Sequence, residues 1–217
     1  QFKACLKENK TFVVFLLLMF FFRGAYADWY HIPSSSMEPT LEIGDRIIVD
    51  KTAYDIKLPF SNISLGRTNE PKRGDIIVFN SKAANVRLIK RVIGLPKDTI
   101  AMHNERVYIN NKPLEYTNIN EQADNAIVLE QFGHLSHALK FTHNNNVNLA
   151  SFNPITVPDD HYLVLGDNRR NSADSRVYGF IPRDELIGKA TKVAISLNVD
   201  NYYQPKSNRF WLNLYNE

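Results

Sequence analysis

The stretch from Val86 to Asp98 reads VRLIKRVIGLPKD, an almost continuous apolar run interrupted by basic residues. Its Val and Ile content, closed by the turn signal Gly-Leu-Pro, predicts a β-strand over residues 86–93. Successive side chains of a strand point to opposite faces. This alternation puts Leu88, Lys90 and Val92 on one face and Ile89, Arg91 and Ile93 on the other. A lysine and an arginine are therefore directed to opposite sides of an otherwise apolar strand.

Further short runs rich in Val, Ile, Tyr and Phe lie on both sides of this strand and are separated by turn residues. The runs that predict strands are residues 46–49, 75–79, 106–109, 161–165 and 189–197. Gly44-Asp45 and Gly74-Asp75 look like tight turns that lead into two of them. Long amphipathic helical patterns are scarce, and residues from about 115 to 154 look like a less regular insertion. We therefore predict a mostly β domain with a smaller β insertion.

The composition excludes several classes of function. The chain has 217 residues, of which 44% are hydrophobic and 12% aromatic, enough for a packed core. Its formal net charge of +3 is too small to indicate a phosphate-binding surface, so nucleic acid is not an expected partner. Cys5 is the single cysteine, HExxH does not occur, and His134 and His137 lie in a stretch typical of a surface loop. We expect no disulfide, no metal and no cofactor.

The N-terminal region contains a membrane-directed segment. Phe12 to Phe22 reads FVVFLLLMFFF and follows three lysines. This run is shorter than the roughly 20 residues that span a bilayer, so by itself it resembles the apolar part of a removable signal peptide. The following Ala25-Tyr26-Ala27 resembles a cleavage site.

We favour a transmembrane anchor over residues 11–30 instead. Arg23 near its far end can extend to the headgroups, and Trp29 and Tyr30 are typical of a membrane interface. The preceding lysines place residues 1–10 in the cytoplasm by the positive-inside rule. We therefore expect residues 31–217 to form an extracytoplasmic catalytic β domain, and the lipid bilayer to be a partner of the chain.

Three polar patches carry the candidate chemistry. Ile32 to Thr40 reads IPSSSMEPT, with three serines between two prolines, either an exposed linker or a rigid turn. In the predicted strand over residues 86–93, Lys90 either extends to solvent or is buried. Burial disfavours the ammonium form, lowers the pKa of a lysine and makes a neutral amine available as a base. The third patch, Gly166 to Arg176, reads GDNRRNSADSR, and its short polar side chains are typical of a loop of fixed shape.

The segments SSSMEPT, LIKRVIGLP and GDNRRNSADSR, in this order behind a hydrophobic segment, resemble the signature boxes of type I signal peptidases, the bacterial leader peptidases. The resemblance covers about Ile32 to Leu197, apart from the insertion. It implies a signal-peptidase-like antiparallel β catalytic domain and a serine endopeptidase that works through a Ser-Lys dyad and an acyl-enzyme. It also implies a single-pass protein of the bacterial cytoplasmic membrane with its catalytic domain on the periplasmic side.

The same resemblance assigns roles to residues of the three patches. Ser36 is then the nucleophile, and Lys90 is the general base. The supporting residues are Ser34 in the oxyanion hole and Ser172 as a hydrogen-bond partner of the lysine amine. Independently of the resemblance, the opposite charges of Asp174 and Arg176, two positions apart, predict a structural clamp.

The implied substrate is the end of a signal peptide on a secretory precursor, with small residues at positions −1 and −3 from the cut, as in Ala-x-Ala. An extended peptide can add to a strand edge while alternate side chains enter pockets. The apolar residues that adjoin the proposed nucleophile and base are the candidate pocket residues: Ile32, Pro33, Leu88 and Ile89.

Three positions depart from the family pattern. The family usually has glycine at Lys97, so we expect a different backbone conformation in that turn, because glycine alone enters positive φ freely. Ser35 often is glycine and Arg170 often aspartate in relatives, and neither change affects a proposed catalytic atom.

Three alternatives remain open. A self-cleaving repressor-type protease shares the Ser-Lys dyad but needs a DNA-binding domain, and the 31 residues before Ile32 are mainly the apolar segment. A Ser-Lys protease dedicated to one precursor, such as a pilin, fits the same residues. A non-catalytic, membrane-tethered β domain that binds partners would use the serines only as a linker.

Overall fold

The computed structural model describes residues 9–15, 19, 27–57, 63–120, 125–133, 135–142 and 149–215. Strands dominate, which confirms the mostly β prediction. In chain order they are β1 (Ala27–His31), β2 (Asp45–Asp50), β3 (Asp55–Lys57), β4 (Ser64–Arg67), β5 (Ile76–Ser81), β6 (Val86–Gly94), β7 (Thr99–His103), β8 (Arg106–Ile109), β9 (Lys112–Pro113), β10 (Glu115–Asn120), β11 (Asn125–Phe132), β12 (Leu135–Thr142), β13 (Phe152–Thr156), β14 (His161–Leu165), β15 (Ile181–Pro182), β16 (Leu186–Asn198), β17 (Gln204–Pro205) and β18 (Leu212–Asn213). Residues 10–15 and 19 are helical, and short helices lie at Arg169–Asn171, Ser175–Tyr178, Arg183–Glu185 and Ser207–Arg209.

The largest sheet has the order β1-β2-β16-β5-β6-β14-β15, with β17 and β18 also paired to β16. All of its strand pairs are antiparallel. β5 is buried on both faces, because Ile76 and Val78 pack in one core cluster whereas Ile77 and Phe79 pack in another. The first of these clusters also contains Met37, which directly follows the candidate nucleophile. The core thus anchors the serine-rich segment next to β5 and β6.

Three turns that lead into strands share one geometry, with a residue of positive φ directly before an aspartate. The φ angles are 95° at Gly44, 90° at Gly74 and 74° at Lys97. In each turn the aspartate carboxylate accepts the backbone N–H of the residue three positions earlier, at 2.8 or 2.9 Å. Lys97 therefore adopts the conformation that glycine favours. This corrects the prediction of a different backbone conformation there.

Three smaller sheets complete the described fold, with the orders β13-β7-β8-β9, β10-β11-β12 and β3-β4. Much of the predicted insertion is a regular antiparallel sheet, formed by β10, β11 and β12. β13, at the end of the predicted insertion, instead pairs with β7. His137 is buried in β12 and not in a surface loop as predicted, because its ring packs against Phe132 and lies close to the carboxylates of Glu130 and Asp167. His134 lies outside the described residues.

The predicted anchor over residues 11–30 is only partly described, since residues 16–18 and 20–26 lie outside the described residues. At its far end, Ala27–His31 is strand β1 and pairs with β2, so the predicted helix does not reach Tyr30. Pairing with β2 satisfies the backbone hydrogen bonds that a helix would otherwise satisfy, and Trp29 and Tyr30 lie in this strand. Among the described residues, no helix has the length and apolar character needed to cross a bilayer.

Candidate active site

The serine-rich segment after β1 is fixed by its apolar residues and by the loop after β14. Ile32 and Met37 are buried in the core. Between them, the Ser36 carbonyl accepts the backbone N–H of Asn168 at 3.1 Å, and Asn168 Nδ2 donates to the Ser35 carbonyl at 3.2 Å. The segment is therefore a rigid turn rather than an exposed linker.

β6 carries Lys90 into the interior beside this turn. The lysine is 2% exposed. Its Nζ donates to Ser36 Oγ at 2.8 Å and to the Ile89 carbonyl at 3.0 Å. The two side chains are 54 positions apart in sequence. The structure thus brings the predicted nucleophile and the predicted base into hydrogen-bond contact.

The surroundings of Lys90 favour the neutral amine. Burial lowers the pKa of Lys90 to about 8, although the charges of Asp174 and Asp167 partly oppose this and Arg176 adds to it. An amine with a pKa near 8 is about half neutral at that pH, and a general base is most effective when its pKa lies near the working pH. Lys90 is therefore both close enough to remove the Ser36 proton and deprotonated often enough to do so.

Ser34 lies on the open side of Ser36. The two hydroxyl oxygens are 3.4 Å apart, and both are solvent accessible. Within the described part of the chain, the backbone N–H of Ser36 has no hydrogen-bond partner. The Ser34 hydroxyl and the Ser36 N–H are thus two donors beside the nucleophile that a substrate oxygen can use.

Ser172 is buried behind the pair and is separated from Ser36 by Gly166. A Cβ on Gly166 would overlap the Ser172 side chain and would lie 2.5 Å from the Ser36 carbonyl oxygen. The buried Ser172 Oγ has no hydrogen-bond partner among the described residues, so its predicted bond to the Lys90 amine is not formed. Lys90 instead donates to Ser36 Oγ and to the Ile89 carbonyl.

Asp174 and Arg176 form the predicted pair. Asp174 Oδ1 accepts Arg176 Nε at 2.8 Å, and Asp174 Oδ2 accepts Arg176 Nη2 at 2.8 Å. The same Oδ2 accepts the backbone N–H of Gly166 at 3.0 Å. Burial raises the pKa of Asp174, but Arg176 and the Gly166 N–H outweigh it and hold the pKa below the ordinary value. The ionised clamp therefore closes the loop against Gly166, next to Ser36.

A cleft of about 230 Å³ opens beside Ser36. All four predicted pocket residues line it, namely Ile32, Pro33, Leu88 and Ile89. The other lining residues are Tyr30, His31, Ser34, Ser36, Met37, Arg87 and Lys90. The cleft therefore joins an apolar pocket to the nucleophile, the base and one candidate oxyanion donor.

Comparison with known proteins identifies the family. The family model described as signal peptidase, peptidase S26, matches residues 5–195. The chain belongs to this family. It is 38% identical over 191 residues to the probable signal peptidase I-2 of Synechocystis sp., covering 85% of this chain and 71% of that protein. It is 33% identical over 204 residues to signal peptidase I of Pseudomonas aeruginosa, covering 87% of this chain and 72% of that protein.

A third relative is signal peptidase I of Leptolyngbya laminosa, 38% identical over 189 residues, which cover 83% of this chain and 75% of that protein. Membership of the signal peptidase family makes the chain a serine endopeptidase with signal peptides as the substrate class. The alternative of a non-catalytic binding domain is therefore excluded.

Besides Asp174–Arg176, this signal peptidase has a buried ion pair that was not predicted from the sequence. Arg91, on the face of β6 opposite Lys90, donates to Asp167 at 2.8 and 2.6 Å. Thr40 Oγ1 also donates to Asp167, at 2.5 Å. The alternation in β6 was the available signal, because it buries Arg91 and a buried guanidinium needs a carboxylate partner. The pair joins β6, the serine-rich segment and the loop after β14 from behind.

Proposed function

We propose that the chain is a signal peptidase I, which cleaves signal peptides from secreted precursors after Ala-x-Ala through a Ser36–Lys90 dyad. The observation that carries the proposal is the 2.8 Å contact between Lys90 Nζ and Ser36 Oγ, made by a lysine that is 2% exposed. The contact brings the amine within hydrogen-bond distance of the Ser36 hydroxyl, and burial favours the neutral form of the amine.

The chemistry then follows in two steps. Neutral Lys90 removes the Ser36 proton as Oγ attacks the carbonyl carbon, and it gives this proton to the leaving amine as the peptide C–N bond breaks. The signal peptide remains as an ester on Ser36. A water molecule, deprotonated by Lys90, attacks the ester, and the proton returns to Ser36 Oγ as the signal peptide leaves. Donation from Ser34 Oγ and the Ser36 N–H stabilises the oxyanion in each step, and one such donor contributes about 3 kcal/mol.

Two strand edges support the proposed path of the substrate. β1 pairs only with β2, and residues 86–90 of β6 pair only with β5, among the described strands. Both strands contribute residues to the lining of the cleft. An extended peptide can pair with such an edge and direct alternate side chains inward. The cleft of about 230 Å³ suits small side chains at positions −1 and −3.

We also propose that the chain is bound to the bacterial cytoplasmic membrane, with the dyad on the extracytoplasmic side. The apolar run Phe12–Phe22 behind three lysines supports this location. A membrane-bound site meets precursors where they emerge, which raises their effective concentration. Resistance of the protein to carbonate extraction from membranes supports this location, and full release into the soluble fraction contradicts it.

A cleavage assay tests the dyad. Purified protein in detergent is expected to cut a precursor after Ala-x-Ala, with the new N-terminus identified by mass spectrometry. Ser36→Ala and Lys90→Ala should each reduce kcat/KM by at least about 10³-fold, because nucleophile and base act as a unit. Ser35→Ala and Lys82→Ala are the matched controls, since Ser35 is adjacent in sequence and Lys82 is exposed. Full activity in either dyad variant removes the proposed mechanism.

The same assay across pH tests the identity of the base. With the pKa of Lys90 lowered to about 8, kcat/KM should rise with pH through a midpoint near 8 as the amine loses its proton. A midpoint near 6.5 would point to histidine instead.

A further inference from the structure

Arg87 lines the same cleft as Ser36, three positions before Lys90 in β6. Its Cζ is 4.5 Å from the centre of the Tyr30 ring, and its Nε donates to Asn80 Oδ1 at 3.2 Å. Alternation along β6 puts Arg87 on the same face as Ile89. The stacked ring and the Asn80 contact hold the guanidinium at the cleft wall, although the residue is exposed.

The guanidinium of Arg87 still has N–H groups that can donate hydrogen bonds to a ligand. Within the described residues no carboxylate pairs with Arg87, and its two Nη groups make no hydrogen bond. No carboxylate is found among the residues that line the cleft. The lining instead contains the guanidinium of Arg87, which is positively charged whether or not Lys90 has lost its proton. The potential in the cleft therefore favours a negative ligand, and a planar guanidinium fork matches a carboxylate best.

The distance between Arg87 and the dyad locates this ligand on the substrate. Arg87 precedes Lys90 by three residues of strand, which corresponds to about 10 Å. An extended peptide covers the same length with about three residues. A substrate bound with its cleaved bond at Ser36 thus brings a residue upstream of position −1 to Arg87.

We propose that the cleft selects substrates that carry an acidic side chain a few residues upstream of the cleaved bond, with Arg87 as the specificity-determining residue. This inference rests on the proposed peptidase function and assigns a preference that the Ser-Lys chemistry does not require. Binding of the carboxylate at the stacked guanidinium favours glutamate there, and repulsion disfavours lysine.

Matched peptides test the proposal. Each has Ala at −1 and −3 and carries Glu, Gln or Lys at one of the positions −2, −4, −5 or −6. At one of these four positions, kcat/KM should be about three- to tenfold higher for the Glu peptide than for the Lys peptide. This range is what a partly exposed ion pair contributes. The ratio should fall at high salt. Arg87→Gln should bring it close to one, and Arg87→Glu should invert it.

Arg106→Glu is the control, because Arg106 also lies over an aromatic ring, Tyr116 at 5.7 Å, but outside the cleft lining. It should keep the wild-type ratio. A ratio near one at every position, or one that Arg87→Glu leaves unchanged, overturns the inference.

The affinity of the same peptides for Ser36→Ala, measured by fluorescence anisotropy with and without Arg87→Glu, separates the two proposals. Charge preference in binding without any cleavage by the wild type contradicts the proposed function alone. Cleavage of the Gln peptide without charge preference contradicts this inference alone.

Discussion

At Lys90, the requirements of stability and of chemistry oppose each other. Burial lowers the pKa of its amine to about 8, whereas a lysine in the unfolded chain titrates near 10.5. At neutral pH the folded protein therefore holds a cation in a place that disfavours it. An apolar side chain of similar length would avoid this penalty but could not act as a base. Active sites commonly show this trade-off between stability and activity.

We expect Lys90→Met to raise the free energy of unfolding by about 1 to 2 kcal/mol at pH 7 while abolishing cleavage. Below pH 8 the amine is protonated in both states, and the wild type bears the whole penalty. Between pH 8 and 10.5 the unfolded state binds more protons, so wild-type stability rises with pH. The advantage of the variant should therefore disappear above pH 10.5. Urea unfolding at pH 7, 9 and 11 measures it.

Lys112→Met is the control for this prediction, because Lys112 is exposed in β9. Its difference from the wild type should not change with pH over the same range. A Lys90→Met advantage that persists undiminished above pH 10.5 would show that packing, not charge burial, is its source.

At the scale of elements, the loop after β14 positions the nucleophile through close backbone packing. Gly166→Ala should lower kcat/KM at least tenfold or so, because displacement of reacting groups by about 1 Å is enough for such losses. The new Cβ would overlap Ser172 and lie 2.5 Å from the Ser36 carbonyl oxygen. Gly66→Ala is the control, since no atom lies within 4 Å of the corresponding Cβ in β4. Equal activity of the two variants would mean that the loop adjusts freely.

Local patterns in the sequence were sufficient for several parts of the site. Alternation along β6 separated Lys90 from Arg91, and the structure has them in contact with Ser36 and Asp167 on opposite sides. The Asp174–Arg176 pair was also predictable, because the two residues are close in sequence and chemically complementary. Interactions set by strand period or short spacing are local, and so they can be read from the chain.

Other parts depended on tertiary packing and could not be predicted from the residues. Only the family resemblance pointed to a contact across the 54 positions between Ser36 and Lys90. The helical interpretation of Trp29 and Tyr30 failed because β2 is available as a partner strand. The predicted hydrogen bond of Ser172 failed because it depends on atomic positions in a packed interior.

At the scale of the whole molecule, buried charges join the insertion sheet to the catalytic core. Glu130 in β11 accepts Arg169 Nη2 at 2.5 Å. His137 in β12 lies between two carboxylates, with Nε2 3.3 Å from Glu130 and 3.7 Å from Asp167. Asp167 in turn binds Arg91. Burial would raise the pKa of both carboxylates, but the arginines outweigh it and keep the pKa values below the ordinary range. The insertion sheet is thus attached to the back of the active site by ionised groups.

His137 makes this attachment sensitive to acid. Burial, reinforced by the charge of Arg91, lowers the pKa of His137 to about 3, although Asp167 and Glu130 oppose this shift. A histidine in the unfolded chain titrates near 6.5. Between pH 6.5 and 3 the unfolded state therefore binds a proton that the folded state does not, and stability falls as the pH is lowered. The neighbouring carboxylates add to this loss only at lower pH, near their unfolded pKa values of about 4.

We therefore expect the free energy of unfolding to fall by up to about 2 kcal/mol between pH 6.5 and 5, and His137→Leu to remove most of this fall. Urea unfolding at pH 7, 6 and 5 measures the slope for both proteins. His103→Leu is the matched control, because His103 is exposed at the end of β7, and it should keep the wild-type slope. An unchanged slope in His137→Leu would assign the acid sensitivity to other groups. A slope lost only there means that one buried imidazole, at the contact between the insertion sheet and the catalytic core, causes the loss of stability between pH 6.5 and 5.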